Sequence, residues 1–342
     1  MLQAGLSTAP WVTVDDTAAR HARQDAFTTQ IGDARFTAFR TGASKSRQAF
    51  LSLLRAGHGE YVINDAALAY MSGRALAGPV IEQLAAHPTK IFADEATWAA
   101  HLAALGIDRM AVTPEPADRF AWHRFASRPD PVRIATEGAL WGTIQARGLL
   151  QGTVIVSDDA GQFRLGEHAL CWVHAERLVH KLVPANDQQR RAVEVPRSLI
   201  WWLHADLKAW QRDPCPRRAA ALRSRFDRIF TRRTDYVVLD RLLARLHRRK
   251  AELLRVLERP EIPLHTNASE NDIRACVTRR KVSGGTMSAA GRTARDVLLG
   301  LMKTCRKLGV SFYRYLGDRL RAQSAIPVPP PPDLARQAAA IA

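Results

Sequence analysis

The sequence predicts an α/β fold, a mixed sheet flanked by helices, and two observations support this. Three strand-like segments, residues 11–16, 27–31 and 35–41, come before the first helical pattern. Much later, residues 154–156 form an unbroken Val-Ile-Val run, as expected of a strand buried on both faces in a parallel part of a sheet. Between these segments the chain is mostly helical in pattern, so we expect two helical insertions within the α/β core.

The N-terminal segments specify the first part of this core. Alternation within residues 11–16 places Asp15 and Asp16 on opposite faces of the first strand. Gly32 begins a tight turn between the second and third strands, and Ser44 is the predicted cap of the first helix. Three antiparallel strands followed by a helix are a partial signature of the ribonuclease-H-like fold.

Composition indicates a globular protein with a polyanionic partner. The chain has 342 residues, and 50 Lys+Arg against 33 Asp+Glu give a net charge of +17. Such an excess favours nucleic acid, because binding then gains from counterion release. The basic residues are spread along the chain, which argues against a membrane surface. The four cysteines are too scattered for a disulfide framework, and no signal pattern or long apolar run is present. We therefore expect a cytoplasmic protein.

Two positions compete to supply an acid near the middle of the chain. Asp158 and Asp159 follow the buried strand at its carboxyl end, where α/β sheets place ligands. Asp65 follows a shorter apolar run, YVIN, and lies nearer in sequence to the first strand. The pattern alone leaves both positions open.

The stretch 264–285 predicts a helix that carries a third acid. Asn267 is a favourable N-cap, Glu270 lies three positions later, and Gly284 is a natural stop. Glu270, Arg274 and Lys281 fall close to one helix face. Alternatively, Glu270 is only the reciprocal half of a capping box and the cations are solvated surface charge.

Carboxylates from three separate elements are what metal-dependent chemistry on a phosphodiester requires. Asp15, Asp158 and Glu270 would therefore bind Mg²⁺, for which Mn²⁺ can substitute, because hard cations prefer oxygen ligands. Arg274 and Lys281 would contact DNA phosphates.

Three further patterns have ordinary structural interpretations. Cys171 and His174 give two zinc ligands where four are needed, with Cys215 or His180 as conceivable completers, and helix packing is favoured. The adjacent tryptophans 201 and 202 could stack on an unpaired base, but a place in the core is favoured. Residues 284–293 superficially match a phosphate-binding loop, yet they lack its spacing and lysine, which excludes nucleotide binding.

An ordered set of motifs gives the sequence a family resemblance. SDDAGQF, CWVHAER, NASENDIR with RRK, and the helix YLGDRL resemble the insertion-sequence-66 group of DDE transposases, as do WVTVDDTAARH and ASKSRQAFLSLL near the start. The likeness runs from about residue 10 to 320. It makes Asp15, Asp158 and Glu270 the three acids, and it implies a ribonuclease-H-like core that nicks DNA at element ends and joins the 3′ ends to a target. The expected partners are double-stranded DNA and further copies of the chain on that DNA.

The resemblance also implies helical insertions between the acids. Members of the group usually carry an N-terminal DNA-binding region, whereas this chain begins almost at the first catalytic strand. An alternative function is therefore that of a truncated, inactive DNA-binding remnant that competes with a full-length transposase. The predicted segments are the first half of the core (10–64), a helical insertion (65–145), the second half of the core (146–182), a second helical insertion (183–262), catalytic C-terminal helices (263–320) and a Pro-rich tail (321–342). We expect a loop at 113–119 to break the first insertion, the second insertion to form a hairpin of long helices, and the tail to be disordered or extended.

Overall fold

A computed structural model describes residues 1–110, 130–322 and 327–341. The chain divides into two compact units, one formed by residues 3–43 with 152–342 and the other by residues 44–151. Within the described ranges, no helix combines the length and apolar character needed to cross a lipid bilayer. The predicted loop at 113–119 lies outside the described residues.

The first unit is built on a five-stranded mixed sheet, as the sequence predicted. Its strands are β1 (Trp11–His21), β2 (Gln24–Gly32), β3 (Thr37–Gly42), β6 (Val154–Ser157) and β7 (Glu167–Leu170), whereas β4 (Tyr61–Val62) and β5 (Ile91–Phe92) belong to the other unit. Their order is β3-β2-β1-β6-β7. The first three strands pair antiparallel, and β1, β6 and β7 pair parallel. The apolar strand β6 is buried along its whole length between β1 and β7.

Two tight turns set the register of the antiparallel strands. Ala22 and Arg23 both have positive φ, at 50° and 65°, which is the geometry of a two-residue hairpin turn. Gly32 precedes the second turn, where a Cβ would lie 2.2 Å from the carbonyl oxygen of Phe36. Glycine is therefore required there. The β1–β2 hairpin is longer than predicted, because its outer pairs continue to His21 and Gln24.

The second unit is mainly helical, with a two-stranded ribbon. Trp98 lies in its core, 1% exposed, and its ring stacks on that of Tyr61 with centroids 5.8 Å apart. The elements are α2 (Arg47–Leu54), β4 (Tyr61–Val62), α3 (Asp65–Gly73), α4 (Gly78–Ala86), β5 (Ile91–Phe92), α5 (Glu95–Ala104) and α6 (Pro131–Ala146).

Helices on both sides of the sheet complete the first unit. A cluster of buried side chains from β6, β7, α7 and the helices of the predicted second insertion forms a hydrophobic core in this unit. The indole N–H of Trp172 donates to the carbonyl of Leu253 at 2.8 Å and joins the insertion to the helix after β7. The helices are α1 (Leu2–Thr8), α7 (Trp172–His180), α8 (Asp187–Arg212), α9 (Pro216–Phe230), α10 (Val237–His247), α11 (Lys250–Leu253), α12 (Asn267–Ser283), α13 (Ala289–Lys307), α14 (Phe312–Arg319) and α15 (Pro331–Ile341).

Polar contacts fasten α13 to the edge strand β3. The hydroxyl of Thr304 accepts from the backbone N–H of Thr37 at 3.0 Å. The carboxylate of Asp296 accepts from the backbone N–H of Thr41 at 2.6 Å and from its hydroxyl at 2.9 Å. These bonds satisfy buried backbone groups of an edge strand that would otherwise need water.

Several local predictions were wrong. Ser46, not Ser44, caps α2, because its side chain accepts from the N–H of Ala49. The N-cap of α12 is Thr266, without a side-chain cap bond, so Asn267 is already inside the helix. The insertion after α7 is a set of several helices rather than one hairpin, and residues 331–341 form a helix where an extended or disordered tail was expected.

The adjacent tryptophans were also misplaced by the prediction. Trp201 is 39% exposed and Trp202 is 61% exposed, so neither belongs to the core. The opposite face of α8, with Ile200, Leu203 and Leu207, is the one that packs inward.

Candidate active site

The two aspartates that end β6 are held differently. Asp159 is paired with Arg249 at 2.9 Å, with Arg164 at 3.3 Å and with Arg245 at 3.6 Å. Asp158 uses one oxygen, Oδ1, to accept from the backbone N–H of Ala160 at 3.0 Å, a local turn that orients its carboxylate. Asp159 is therefore engaged in ion pairs with arginines, whereas the Asp158 carboxylate can still accept bonds from a ligand.

The pair on β1 shows a similar division. Asp16 accepts from the side-chain amide of Gln162 at 2.8 Å. Its own backbone N–H donates to Asp15 Oδ1, also at 2.8 Å. Asp15 thus receives a bond from the main chain, while Asp16 is tied to the turn after β6.

Burial raises the pKa of Asp15 to about 6, because a buried carboxylate loses hydration. The hydrogen bond from Asp16 works in the opposite direction, and the negative charge of Asp158 raises the pKa further. Asp15 and Asp158 therefore lie close enough to repel each other when both are ionised.

Glu270 approaches the same region from the first turn of α12. The hydroxyl of Ser269 donates to that of Thr13 at 2.5 Å, which places this turn on the strand face that carries Asp15. Glu270 Oε1 lies 3.6 Å from His174 Nε2 and 3.7 Å from a guanidinium nitrogen of Arg177. Because the carboxylate contacts side chains of α7, the capping-box interpretation of Glu270 is wrong.

His174 connects the three acids. Its hydrogen bond with Cys171 is the main reason that its pKa lies above the ordinary value, and the charge of Asp158 adds to that shift. Burial is the largest single influence on the Cys171 thiol and works to raise its pKa, but the hydrogen bonds and charge of His174, together with a bond to Thr266, leave that pKa lowered. His174 also interacts electrostatically with Asp15 and contacts Glu270, so it interacts with all three acids.

A pocket of about 510 Å³ opens beside this centre. Its lining includes the carboxylates of Asp158 and Asp159 and the cationic side chains of Arg177, Lys181 and Arg245. It therefore offers carboxylates for a cation next to guanidinium and ammonium groups for a phosphate.

Side-chain positions do not form a ready-made metal site. In the parts of the chain that the structure describes, no three His, Cys, Asp or Glu side chains are grouped so as to hold a metal ion. This holds for the Cys171–His174 pair as well as for the acids. All four cysteines are free.

Two unsatisfied groups nevertheless fit a divalent cation among the acids. Glu270 Oε1 is buried without a hydrogen-bond donor in the described structure. Gln30, opposite Asp15 in the β1–β2 register, is 0% exposed, and both of its amide atoms lack a partner among the described residues. A cation would supply charge to Glu270 and relieve the Asp15–Asp158 repulsion, and its hydration shell would offer partners for Gln30. The donor set is all oxygen, which suits Mg²⁺ or Mn²⁺.

The predicted DNA-binding cations occupy exposed positions on α12. Arg274 lines a groove of about 600 Å³ between α12 and α13, together with Lys303, Arg306 and Lys307. Lys307 is held by Asp272 at 2.9 Å, whereas Arg274 and Arg306 are exposed. Lys281 is also exposed, near the end of α12, and it does not line this groove.

The rival acid Asp65 lies elsewhere in the chain. It is the first residue of α3, in the unit formed by residues 44–151, and no strand of the five-stranded sheet carries it. The sequence did not single out Arg177, His168 or Glu252. Of these, Arg177 could have been found, because it lies three residues after His174 on the same helix face.

Comparison with known proteins places the chain in a family. Residues 142–294 match a family model described as Transposase IS66 family. The uncharacterized protein y4jO of Sinorhizobium fredii (strain NBRC 101917 / NGR234) is 57% identical over 320 residues, which are 94% of this chain and 94% of that protein. No solved structure matches. The family match includes Asp158 and Glu270 and begins after Asp15. The chain belongs to the IS66 family of transposases.

Proposed function

We propose that the protein is a DDE-type DNA transposase that cleaves DNA at insertion-sequence ends and transfers the 3′ ends to a target, with Asp15, Asp158 and Glu270 as its acids. The observation that carries the proposal is that all three acids interact with His174, Glu270 at 3.6 Å and Asp15 and Asp158 through their charges, although they come from three separate elements, β1, the end of β6 and the start of α12. The strand order and the place of the acids on it fit a ribonuclease-H-like core.

The three carboxylates would hold Mg²⁺ or Mn²⁺, which when bound activates the attacking oxygen and stabilises the leaving oxygen of a phosphodiester. The protein's own groups orient the substrate around that centre. Arg177 lies beside Glu270 and lines the pocket, so it can bind a non-bridging phosphate oxygen next to the acids. Arg274 on α12 and Arg306 on α13 bind the DNA backbone in the groove between these helices, and Lys281, near the end of α12, extends that path.

The decisive experiment measures Mg²⁺-dependent nicking of a labelled insertion-sequence end. Asp158→Asn keeps the volume of the side chain and removes its charge, so it should abolish nicking while DNA binding persists. Asp65→Asn is the matched control and should retain most activity. Equal loss in both variants, or full activity of Asp158→Asn, would exclude Asp158 as the second acid. A wild-type protein that binds DNA and never cuts it would instead be the inactive remnant.

A further inference from the structure

A buried polar network lies directly behind Asp158. Ser157, the last residue of β6, is 0% exposed, and its hydroxyl lies 2.8 Å from Nε2 of His168 on β7. The other ring nitrogen of His168, which is 4% exposed, lies 2.9 Å from Glu252 Oε1 on α11. The Ser157 hydroxyl also donates to the main-chain carbonyl oxygen of Asp158 at 2.6 Å. An unbroken chain of polar contacts therefore runs from the helical insertion to the backbone of Asp158.

A second branch of the same network reaches the residue that follows Asp158. Arg249 pairs with Glu252 at 3.0 Å and with Asp159 at 2.9 Å. Arg164 adds a pair with Asp159 at 3.3 Å. Ser157 and Asp159, the two neighbours of Asp158, are thus held by contacts that lead to α11 and the residue before it. The Asp158 side chain takes no part in these contacts and can serve as a ligand.

Serine, histidine and glutamate in this order match the composition of a nucleophilic triad, but the geometry excludes that role. A nucleophile must reach substrate, and the Ser157 hydroxyl is fully buried and directed at a main-chain oxygen. With the Ser157 proton directed at the Asp158 carbonyl, Nε2 of His168 serves as the donor to the Ser157 oxygen, and Nδ1 faces the Glu252 carboxylate.

We propose that Ser157, His168 and Glu252 are positioning residues that fix the Asp158 carboxylate for metal binding, so that the helical insertion helps to assemble the acid centre. The inference rests on the proposed function, in which Asp158 is a metal ligand. A polar trio adds no more stability to a core than apolar side chains of similar volume would, because its desolvation is costly. Outer groups that orient a ligand, however, commonly change metal affinity or activity by about 10–100-fold.

The test titrates Mn²⁺ into the full chain and follows free Mn²⁺ by electron paramagnetic resonance, with no DNA present. His168→Ala breaks the network and should weaken Mn²⁺ binding about 10-fold or more. His168→Gln should restore most of the affinity, because its amide N–H can donate to Ser157 from nearly the position of Nε2. Ser157→Ala, which removes a single oxygen, should weaken binding too and serves if His168→Ala fails to fold.

The matched control is Glu258→Gln, in the same insertion, where Glu258 is 52% exposed and pairs with Arg255. It should bind Mn²⁺ as the wild type does. DNA affinity should stay within about two-fold in every variant, and nicking by His168→Ala should recover at high Mn²⁺ concentration, which a general folding defect would not produce.

Two results would overturn the inference, and they differ in what else they exclude. If Asp158→Asn loses Mn²⁺ affinity while His168→Ala and Ser157→Ala keep it, the network has no positioning role and the proposed function stands. If Asp158→Asn itself binds Mn²⁺ like the wild type, Asp158 is not a ligand, and the inference fails together with the assignment of the acids.

Discussion

Two histidine–carboxylate pairs lie next to Asp158, and they are built differently. His168 and Glu252 are 2.9 Å apart, and two arginines also pair with Glu252, Arg249 at 3.0 Å and Arg164 at 3.9 Å. His174 and Glu270 are 3.6 Å apart, and Glu270 Oε1 has no hydrogen-bond donor in the described structure. Protein groups satisfy the hydrogen-bonding capacity of the Glu252 carboxylate, whereas Glu270 retains an oxygen that can still accept a bond. A buried carboxylate whose oxygens are all hydrogen-bonded stabilises the fold, and one with an unpaired oxygen indicates where a ligand binds.

The same contrast exists within two residues of α12 and gives the largest expected effects. Asp272 is 5% exposed, accepts from the Thr37 hydroxyl at 2.7 Å and pairs with Lys307 at 2.9 Å. Asp272→Ala should lower the free energy of unfolding by about 2 kcal/mol, because it leaves a half-buried ammonium without its counter-charge. Glu270→Gln should leave stability unchanged and abolish Mg²⁺-dependent nicking. Denaturant unfolding and the nicking assay measure the two effects. A large stability loss in Glu270→Gln would contradict the contrast.

The second prediction uses the pKa of Asp15, which rises from 3.8 to about 6 through burial and the nearby Asp158 charge. The fold therefore favours the protonated carboxyl. This group's contribution to the stability of the metal-free protein is greatest below pH 3.8 and falls as the pH rises to about 6. After allowance for solvent screening, the loss should be about 1–2 kcal/mol.

Asp15→Asn should remove that fall, as should saturating Mg²⁺, and Asp25→Asn is the control, since Asp25 is exposed on the same hairpin. Denaturant midpoints between pH 4 and 7 provide the measurement. If the free energy of unfolding changes with pH equally in wild type and Asp15→Asn, folding does not raise the pKa of Asp15.

The sequence predicted the sheet well because its signals are local. Alternation in residues 11–16, the Val-Ile-Val run and the Gly32 turn each depend on neighbours along the chain. The prediction failed where contacts between residues far apart in the sequence determine the structure. Asn267 is a good cap by residue type, yet the N-cap of α12 is Thr266, and Ser269 in the first turn of the helix donates to Thr13 across 256 positions. His168 and Glu252, 84 positions apart, carry no local pattern that pairs them.

The third prediction concerns Gln30, the buried amide opposite Asp15. Gln30→Met keeps the shape and removes two unsatisfied polar atoms, so it should raise the free energy of unfolding of the metal-free protein by about 1 kcal/mol. Nicking should fall about 10-fold if the amide orients Asp15 or a metal-bound water. Gln24→Met, at the exposed start of the same strand, is the control for both measurements. Higher stability with undiminished nicking would make Gln30 a packing defect rather than part of the site.

The smallest expected effect extends the contrast from carboxylates to cations. Lys307 donates to the carbonyl oxygens of Asp33 and Phe36 and pairs with Asp272, so it is a structural residue. Arg274 and Arg306 line the same groove with exposed side chains. Each of Arg274→Ala and Arg306→Ala should weaken DNA binding only a few-fold and lower the slope of log affinity against log salt by about 1, as loss of one phosphate contact does.

Arg212→Ala, at the exposed end of α8, removes the same charge away from the groove and should leave the slope nearly unchanged. Lys281→Ala should behave like the groove variants in binding, with nicking at saturating DNA reduced much less. Scrambling the DNA sequence should cost little in any of these proteins, because phosphate contacts do not read bases. If Arg212→Ala lowers the slope as much as Arg274→Ala does, the +17 charge acts diffusely and the groove between α12 and α13 is not a DNA site.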